Sequence, residues 1–416
     1  MTMIRLLSII LLCQFTPYVS AQETLTIWHS FAGSLAHQFQ SMADQFNNSQ
    51  SDYRVNLVYK GNYIESLTSF AAAFHAGHPP DMVQVFEVGR DAMVAAQDSL
   101  SPVDTLLTPE QVSRLLPAVK QYYSRNQILM AYPLNVSVPV MYYNKEALQK
   151  VAPNQPFPTT WQAFELVLTK LKKAGYGCGY TTAFPAWLHF ESFASLHGLS
   201  LIAPDNPKAV RYKQPAIIHH LYRLKRWQQQ RFFRYGGRDS DATHLFTSQT
   251  CVIFSQSSGA WQSLQKMVKF PVGIAPLPVD KDISHTRYAN TFGGAALWVV
   301  KPKSPQKKSG VQAWLSFLAQ PNTQWDWYLN TGYLPMVDIE HVQPQSELLK
   351  IASQDLIHAQ TSAPITWGPQ NQLRIILDQA MESFFSQSES VESALDYAEK
   401  QANYRLHRFD KNYHHS

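Results

Sequence analysis

The chain has 416 residues and a mass of 47.3 kDa, which exceeds the usual size of one domain and predicts two or three. Hydrophobic residues make up 45% of the sequence, enough to build buried cores, and this excludes a disordered chain. The formal net charge of +5 is small and scattered, so it gives no indication of a nucleic-acid-binding surface.

The first 21 residues have the layout of a secretory signal peptide. Arg5 supplies a positive charge, an apolar run extends from Leu6 to Phe15, and small residues precede a cleavage site after Ala21. This run is too short to anchor the chain across a bilayer. We therefore expect cleavage after residue 21 and a periplasmic mature protein.

Strands and helices alternate in the first part of the mature chain. Apolar or alternating segments predict strands at 25–28, 53–59 and 82–86. Between them, apolar residues recur at helical spacing from 35 to 46 and from 67 to 74, and a third helix is predicted from about Gly89. This order predicts a parallel, doubly wound sheet with ligands beyond the carboxyl ends of its strands.

A second alternating series follows from about Pro139. Strands are predicted at 140–143, 178–182, 251–254 and 295–300, and helices around 314–318 and 373–384. Thr160 is the predicted N-cap of a helix that ends near Gly175. No long linker separates the two series, so we expect two lobes whose chain crosses a hinge near 134–139, 289–291 and 332–335.

Two cysteines remain after removal of Cys13 with the signal peptide. In an exported chain Cys178 and Cys251 form one disulfide or stay as two buried thiols, and the sequence leaves both open. Two cysteines are too few to indicate a metal site, and we expect none.

Eight segments together identify a family resemblance. They are WHSFAG (28–33), YKGNYIESL (59–67), QVFEVG (84–89), PVMYYNKEAL (139–148), PTTWQAFE (158–165), SSGAW (257–261), FGGAALWV (292–299) and TGYLPM (331–336). The chain resembles the extracellular solute-binding proteins of ABC importers, and within them the periplasmic members that bind sn-glycerol 3-phosphate. The match extends from about residue 25 to beyond 406.

The resemblance implies an α/β fold of two lobes, the type II periplasmic binding protein. Each lobe is expected to be a mainly parallel sheet flanked by helices, and a hinge joins the two. After the signal peptide, 1–21, the implied lobes are 22–134 with 291–333, and 135–290 with 334–416.

The resemblance also implies a set of ligand-binding positions. Those that match the family are Tyr63, Glu87, Ser137, Ser257, Gly294, Tyr333 and Arg374. Phe184 and Trp187 stand where the family has two pocket tryptophans, so Phe184 is a departure. Loss of one indole ring and its N–H donor would enlarge the pocket.

Two of these positions suit an anion. Arg374 offers the planar, bidentate donors that match phosphate oxygens, although a surface pair with Asp378 one helical turn later is the alternative. Ser257 precedes a helical stretch whose free N–H groups attract anions, although it could be an ordinary N-cap. Gly294 permits close approach of a ligand to the backbone, or marks a turn or bulge.

The other positions suit a polyol. Glu87 follows the third strand and can accept hydrogen bonds from vicinal hydroxyls, so we expect it at the hydroxyl end, away from the phosphate it would repel; a solvated loop acid is the alternative. Tyr63, Tyr333 and Trp187 each combine an apolar face with a polar tip, although such residues are often packing residues. Phe184 has no polar tip and can only pack.

The sequence therefore predicts a periplasmic receptor, not an enzyme. Its expected ligand is sn-glycerol 3-phosphate or a glycerophosphodiester such as glycerophosphocholine, passed to the transmembrane subunits of an ABC permease. We expect a monomer without a cofactor and without catalytic residues, because no nucleophile, metallopeptidase or nucleotide-binding motif is present. The alternatives are a carrier of neutral sugars such as maltose and a glycerophosphodiester hydrolase.

Overall fold

The computed structural model describes residues 22–337, 346–356 and 368–413, so the expected signal peptide lies outside the described residues. The strands in these ranges are β1 (Glu23–His29), β2 (Tyr53–Tyr59), β3 (Met82–Phe86), β4 (Leu100–Ser101), β5 (Ser124–Arg125), β6 (Ile128–Leu129), β7 (Tyr132–Ser137), β8 (Pro139–Asn144), β9 (Tyr180–Thr182), β10 (Ile202–Ala203), β11 (Asn206–Val210), β12 (Phe233–Arg234), β13 (Ile253–Ser257), β14 (Val272–Pro276) and β15 (Gly293–Val300).

The α-helices in the same ranges are α1 (Gly33–Ser49), α2 (Tyr63–His75), α3 (Arg90–Ala95), α4 (Pro109–Ser113), α5 (Pro117–Tyr122), α6 (Lys145–Val151), α7 (Trp161–Lys173), α8 (Ser192–Leu196), α9 (Pro215–Gln229), α10 (Thr243–Thr247), α11 (Trp261–Met267), α12 (Pro305–Leu318), α13 (Pro321–Thr331), α14 (Glu347–Leu356), α15 (Gln370–Phe385) and α16 (Val391–Tyr413). Short 3₁₀ turns lie at Glu87–Gly89, Gln97–Ser99, Val103–Thr105 and Ser258–Ala260, and a π-helical turn lies at Ala186–Glu191.

The first sheet has the strand order β2-β1-β3-β15-β4. Strand β4 pairs with the end of β15, at 299–300, and β7 pairs with its start, at 293–297. Strands β1, β2 and β3 are parallel, as the alternation of strands and helices predicted. By contrast, β15 runs antiparallel to β3, β4 and β7. Helices α1 and α12 pack against this sheet, and α13 packs against both of these helices.

The second sheet has the order β12-β9-β13-β8-β14. Strands β12, β9 and β13 are parallel, whereas β8 runs antiparallel to β13 and β14. The two-lobed α/β class is therefore confirmed, but each sheet is mixed rather than mainly parallel. Strands β8 and β15 arrive from the opposite sheet, so no helical crossover of a βαβ unit forces them to be parallel.

The chain passes between the two sheets in two of the segments where hinge crossings were predicted, from β7 to β8 through Val138 and from β14 to β15. After α13, Leu334 and Val337 still pair with Val136 and Leu115 of the first lobe, so the third predicted crossing, at 332–335, stays a prediction. Strand β7 continues to Ser137 in the first sheet, past the expected lobe boundary between residues 134 and 135. The exact boundaries of the lobes stay a prediction.

Two hydrogen bonds fix the first crossing to the second lobe. The N–H of Val138 donates to the Ser258 hydroxyl at 3.1 Å, and the N–H of Ser258 donates to the Val138 carbonyl at 2.8 Å. The Tyr142 hydroxyl also donates to the carbonyl of Ser257 at 2.9 Å. The start of β8 and the end of β13 therefore form one joint at the hinge.

Buried side chains form one hydrophobic cluster centred on the first sheet and another on the second lobe. Side chains alternate across the strands of the second sheet, as in any pleated strand. Ile253 and Met141 belong to the cluster of the second lobe, whereas Phe254 and Tyr142 point the other way and join the first cluster. Both faces of the second sheet are therefore buried.

Cys178 and Cys251 form a disulfide, which resolves the alternative that the sequence left open. Both precede neighbouring parallel strands, β9 and β13, and so join the starts of these strands. Over the described ranges, no helix is long and apolar enough to cross a membrane, and no cluster of His, Cys, Asp or Glu side chains could hold a metal ion.

Candidate functional site

The KGNY segment forms a capped helix start that positions Tyr63. Gly61 takes a positive φ of 80°, and Asn62 then caps α2 through a reciprocal pair of hydrogen bonds with Glu65. Tyr63 is therefore the first helical residue, and its ring stacks on Phe86 with centroids 5.3 Å apart. The helix cap thus places this phenol beside the carboxyl end of β3.

Asn135 links the two predicted tyrosines. Its Nδ2 donates to the Tyr63 hydroxyl at 3.3 Å, and its Oδ1 accepts from Gln84 at 2.9 Å. Burial raises the pKa of Tyr333 to about 12, against the opposing effect of its hydrogen bond with Asn135, and burial also raises the pKa of Tyr63. Both phenols are therefore neutral at physiological pH and keep a proton that can be donated to a ligand oxygen.

Tyr333 reaches this position just after the end of α13. It follows Gly332, which has a φ of 86°, and its ring stacks on Trp327 with centroids 6.1 Å apart. A Cβ atom on Gly259 would lie 2.6 Å from the Tyr333 ring. Tyr333 therefore packs against the turn that carries Ser257 in the other lobe.

Arg374 contacts two carboxylates. Its Nε donates to Glu191 Oε1 at 2.9 Å and its Nη2 to Glu191 Oε2, which is a side-on fork within the second lobe. Its Nη1 donates to Glu87, in the first lobe. Glu87 is therefore in direct contact with Arg374, and the alternative of a simple surface pair with Asp378 does not describe these contacts. The assignment of Glu87 to the hydroxyl end of a ligand stays a prediction.

Burial governs the electrostatics of this cluster. Only 6% of Glu87 is exposed, and desolvation raises the pKa of its carboxyl although Arg374 acts to lower it. Burial by itself would lower the pKa of Arg374, but Glu191 and Glu87 outweigh it and hold that pKa well above its ordinary value. The guanidinium is therefore a permanent positive charge at the interface of the lobes.

Phe184 and Trp187 lie together at the end of β9. Phe184 has a φ of 40°, which is uncommon for a residue with a bulky side chain, and its N–H donates to the Asp239 carbonyl at 2.6 Å. The rings of Phe184 and Trp187 meet edge to face, with centroids 6.2 Å apart. Trp187 is 5% exposed, and its buried Nε1 has no hydrogen-bond partner within the described part of the chain.

The glycine pair of FGG permits two close approaches. A Cβ atom on Gly293 would lie 2.8 Å from the Trp187 ring, and one on Gly294 would lie 1.6 Å from the Asn135 carbonyl oxygen. Gly294 also has a φ of 114°. Ser137, which is buried, pairs with Gly293 in the ladder of β7 and β15. The start of β15 thus brings Trp187 of the second lobe against the first.

Ser257 lies at the end of β13. Its hydroxyl accepts the N–H of Gly259 at 3.1 Å and so caps the 3₁₀ turn at Ser258–Ala260, which is the ordinary N-cap that was the alternative to an anion site. The helical stretch expected after Ser257 begins at Trp261, as α11.

Among the predicted residues, Arg374 contacts Glu87, and Phe184 contacts Trp187. Tyr63 and Tyr333 meet through Asn135, whereas Ser137, Gly294 and Ser257 reach the other predicted residues only through neighbouring backbone. Asn135 and Glu191 also make these contacts and were not predicted from the sequence. A signal existed for Asn135, because a polar side chain inside an apolar strand needs a buried hydrogen-bond partner. Glu191 offered none, because an acid near the start of a helix is ordinarily solvated.

A profile of one protein family matches residues 41–339, well over half of the chain, and its description is bacterial extracellular solute-binding protein. The chain belongs to this family. It is also 32% identical over 420 residues to the sn-glycerol-3-phosphate-binding periplasmic protein UgpB of Salmonella paratyphi A, with 95% of each chain covered. The UgpB protein of Escherichia coli O1:K1 is 32% identical over 414 residues, with 94% of each chain covered.

Solved structures of similar fold agree with the two-lobed architecture of this solute-binding protein. UgpB from Mycobacterium tuberculosis in complex with glycerophosphocholine matches with a TM-score of 0.79 and 20% identity, over 93% of this chain and 99% of that one. The GacH receptor of Streptomyces glaucescens matches with a TM-score of 0.80 and 18% identity, over 94% and 100%. At these identities the likeness shows the fold alone.

Proposed function

We propose that this solute-binding protein is the periplasmic component of an ABC importer and captures a phosphate ester of glycerol. The ligand is sn-glycerol 3-phosphate or a glycerophosphodiester such as glycerophosphocholine, which the protein delivers to the transmembrane permease subunits. The observation that carries this proposal is the meeting of Arg374 with Glu87 between the lobes. A guanidinium beside a carboxylate complements a phosphate joined to a hydroxyl-bearing carbon chain. The UgpB relatives, which are sn-glycerol-3-phosphate-binding periplasmic proteins, support the same ligand class.

The surrounding side chains supply the remaining ligand contacts. Arg374 donates to phosphate oxygens, and Glu87 accepts from a glycerol hydroxyl next to the phosphate. The phenols of Tyr63 and Tyr333 and the unpartnered Nε1 of Trp187 donate to ligand oxygens. Because Arg374 and Trp187 belong to one lobe and the others belong to the first lobe or the crossings, a ligand held by both sets favours the closed arrangement.

Calorimetric titration of the purified mature protein tests the proposal. We expect saturable binding of sn-glycerol 3-phosphate, of glycerophosphocholine or of both, and no binding of maltose at the same concentrations. Binding of maltose alone would replace the proposal with a neutral-sugar carrier. Release of choline from glycerophosphocholine by the pure protein would contradict the prediction that it is not an enzyme.

A further inference from the structure

Glu191 holds Arg374 in a fixed orientation. It ends the π-helical turn Ala186–Glu191, one helical turn after Trp187, and its side chain is 19% exposed. Its two oxygens accept hydrogen bonds from Nε and Nη2 of Arg374 in the planar, two-point geometry that a guanidinium and a carboxylate form best. This fork fixes the edge of the guanidinium that faces the second lobe.

The fork leaves a defined set of donors for a ligand. A guanidinium has five N–H donors, one on Nε and two on each terminal nitrogen. Glu191 uses one on Nε and one on Nη2, and Glu87 uses one on Nη1. Among the contacts of the described residues, one donor on Nη1 and one on Nη2 therefore remain to bind two oxygens of a phosphate.

Glu191 also sets the charge at this position. The cluster of Arg374, Glu87 and Glu191 contains two carboxylates and one guanidinium, and Asp378 lies close enough to act electrostatically on both Arg374 and Glu191. Without Glu191, the positive charge of Arg374 and the negative charge of Glu87 would cancel. With Glu191, the cluster has a net negative charge, which repels each additional negative charge on a ligand.

This balance distinguishes two kinds of phosphate ester. A phosphomonoester carries about −1.5 to −2 charges at neutral pH, because its second pKa is near 6. A phosphodiester carries about one negative charge, because one acidic oxygen is esterified. Both present two oxygens to the remaining donors of Arg374, so the geometry of the fork accepts both and the local charge discriminates between them.

We propose that Glu191 positions Arg374 and, by its charge, makes the site favour the monoanionic phosphate of a glycerophosphodiester over the dianionic phosphate of sn-glycerol 3-phosphate. This inference rests on the proposed function and narrows its ligand class. Glu191 is a positioning residue, since it acts on the ligand through the guanidinium.

The test compares two ligands that differ by one methyl group and one charge: sn-glycerol 3-phosphate and its methyl phosphodiester. Calorimetry at pH 7.5 measures both affinities in the wild type, in Glu191→Gln and in Glu191→Asp. In Glu191→Gln the affinity for the monoester relative to the diester should rise about tenfold, since one opposing charge is lost near the phosphate. In Glu191→Asp both affinities should weaken while their ratio stays within about threefold of the wild type, because the charge is kept and the fork is shortened.

Glu110→Gln is the matched control, because it removes the same charge at an exposed surface pair with Arg114 in the first lobe. It should change neither affinity. A role of Glu191 in folding alone would weaken both ligands equally, and a ratio unchanged in Glu191→Gln would overturn the inference. If the wild type binds neither ligand, the proposed function itself fails, which is a different outcome from an unchanged ratio. Circular dichroism and thermal melting establish that each variant is folded. If Glu191→Gln does not fold, the test uses Glu191→Asp: a tenfold shift in its ratio of monoester to diester affinity would overturn the inference.

Discussion

Arg374 and Glu87 are 287 residues apart in sequence and contact each other between the lobes. Glu87 follows β3 in the first lobe, and Arg374 lies in α15, which packs in the second. Because both groups are largely buried, loss of either one leaves an uncompensated charge. If a phosphate binds Arg374 as proposed, it therefore shares this guanidinium with Glu87.

Substitution of Arg374 should abolish tight binding of phosphate esters. We expect Arg374→Lys to weaken affinity at least tenfold, because an ammonium keeps the charge but not the planar fork, and Arg374→Ala to weaken it about a hundredfold. Calorimetry with the better ligand measures both. Arg114→Lys, at an exposed pair, is the control and should bind as the wild type does. Unchanged affinity in Arg374→Ala would remove this residue from the site.

Trp187→Phe tests whether a ligand satisfies the unpartnered indole N–H. The change keeps an aromatic ring against Gly293 and removes only the donor and part of the ring area. We expect a three- to tenfold loss of affinity, about the worth of one hydrogen bond, with little change in melting temperature. If the variant binds the ligand as tightly as the wild type, Nε1 makes no contact with it.

Phe184→Trp restores the side chain that the family pattern has at this position. A larger ring beside Trp187 should occupy space that the headgroup of a diester needs. We expect the affinity for glycerophosphocholine to fall at least tenfold, while that for sn-glycerol 3-phosphate changes less than threefold, since overpacking costs about 1–3 kcal/mol. Equal effects on both ligands would show that residue 184 does not set headgroup size.

Asp91 should make stability depend on pH. It is 7% exposed, its Oδ2 has no partner among the described residues, and burial raises its pKa to about 7 against the opposing Arg90. The folded protein thus keeps a proton that the unfolded chain releases above about pH 4. The protonated Asp91 carboxyl therefore makes its full contribution to the free energy of unfolding below about pH 4, and this contribution is lost as the pH rises through about 7.

Asp91→Asn should remove that loss. The variant should unfold with a free energy close to that of the wild type near pH 4 and exceed it by roughly 2–4 kcal/mol at pH 8. Urea denaturation at about pH 4, 6 and 8 measures the difference. A difference that does not change with pH would show that Asp91 titrates normally.

Replacement of both disulfide cysteines by serine should destabilise the second lobe but preserve binding. The disulfide closes a chain segment of 73 residues, which corresponds to about 4 kcal/mol in the chain-entropy account. It joins the starts of β9 and β13, whereas Phe184 and Ser257 lie at the opposite ends of these strands. We therefore expect a lower melting temperature and an affinity within about threefold of the wild type. A large loss of affinity in a folded variant would contradict this separation.

Much of the fold was predictable from local pattern. Strands 53–59 and 82–86 coincide with β2 and β3, and Thr160 caps α7 by accepting the Ala163 N–H, because alternation, capping residues and stop signals agree there. The antiparallel pairing of β8 and β15 was not predictable, because direction depends on which sheet a strand arrives from. The long helix α16 was also not predicted.

The site was predictable as a list of positions but not as an arrangement. Family motifs selected residues such as Glu87 and Arg374, but they did not indicate that the two side chains contact each other. Glu191 accepts from Nε and Nη2 of the guanidinium and Glu87 accepts from Nη1, so two carboxylates share one cation. Glu87, Glu191 and Arg374 lie in three elements that are far apart in sequence, and the residue spacing within one element cannot predict a contact with another.

The paired hydrogen bonds between Val138 and Ser258 have a mechanical consequence. If one lobe rotates on the other about these bonds, residues beside them move little and residues at the outer edges of the lobes move far. Ser257 is next to these bonds and would therefore move very little. Arg374 is carried on α15, and its Nη1 contacts Glu87 of the opposite lobe. A small rotation of one lobe about this joint would therefore displace residues far from it much more than residues beside it.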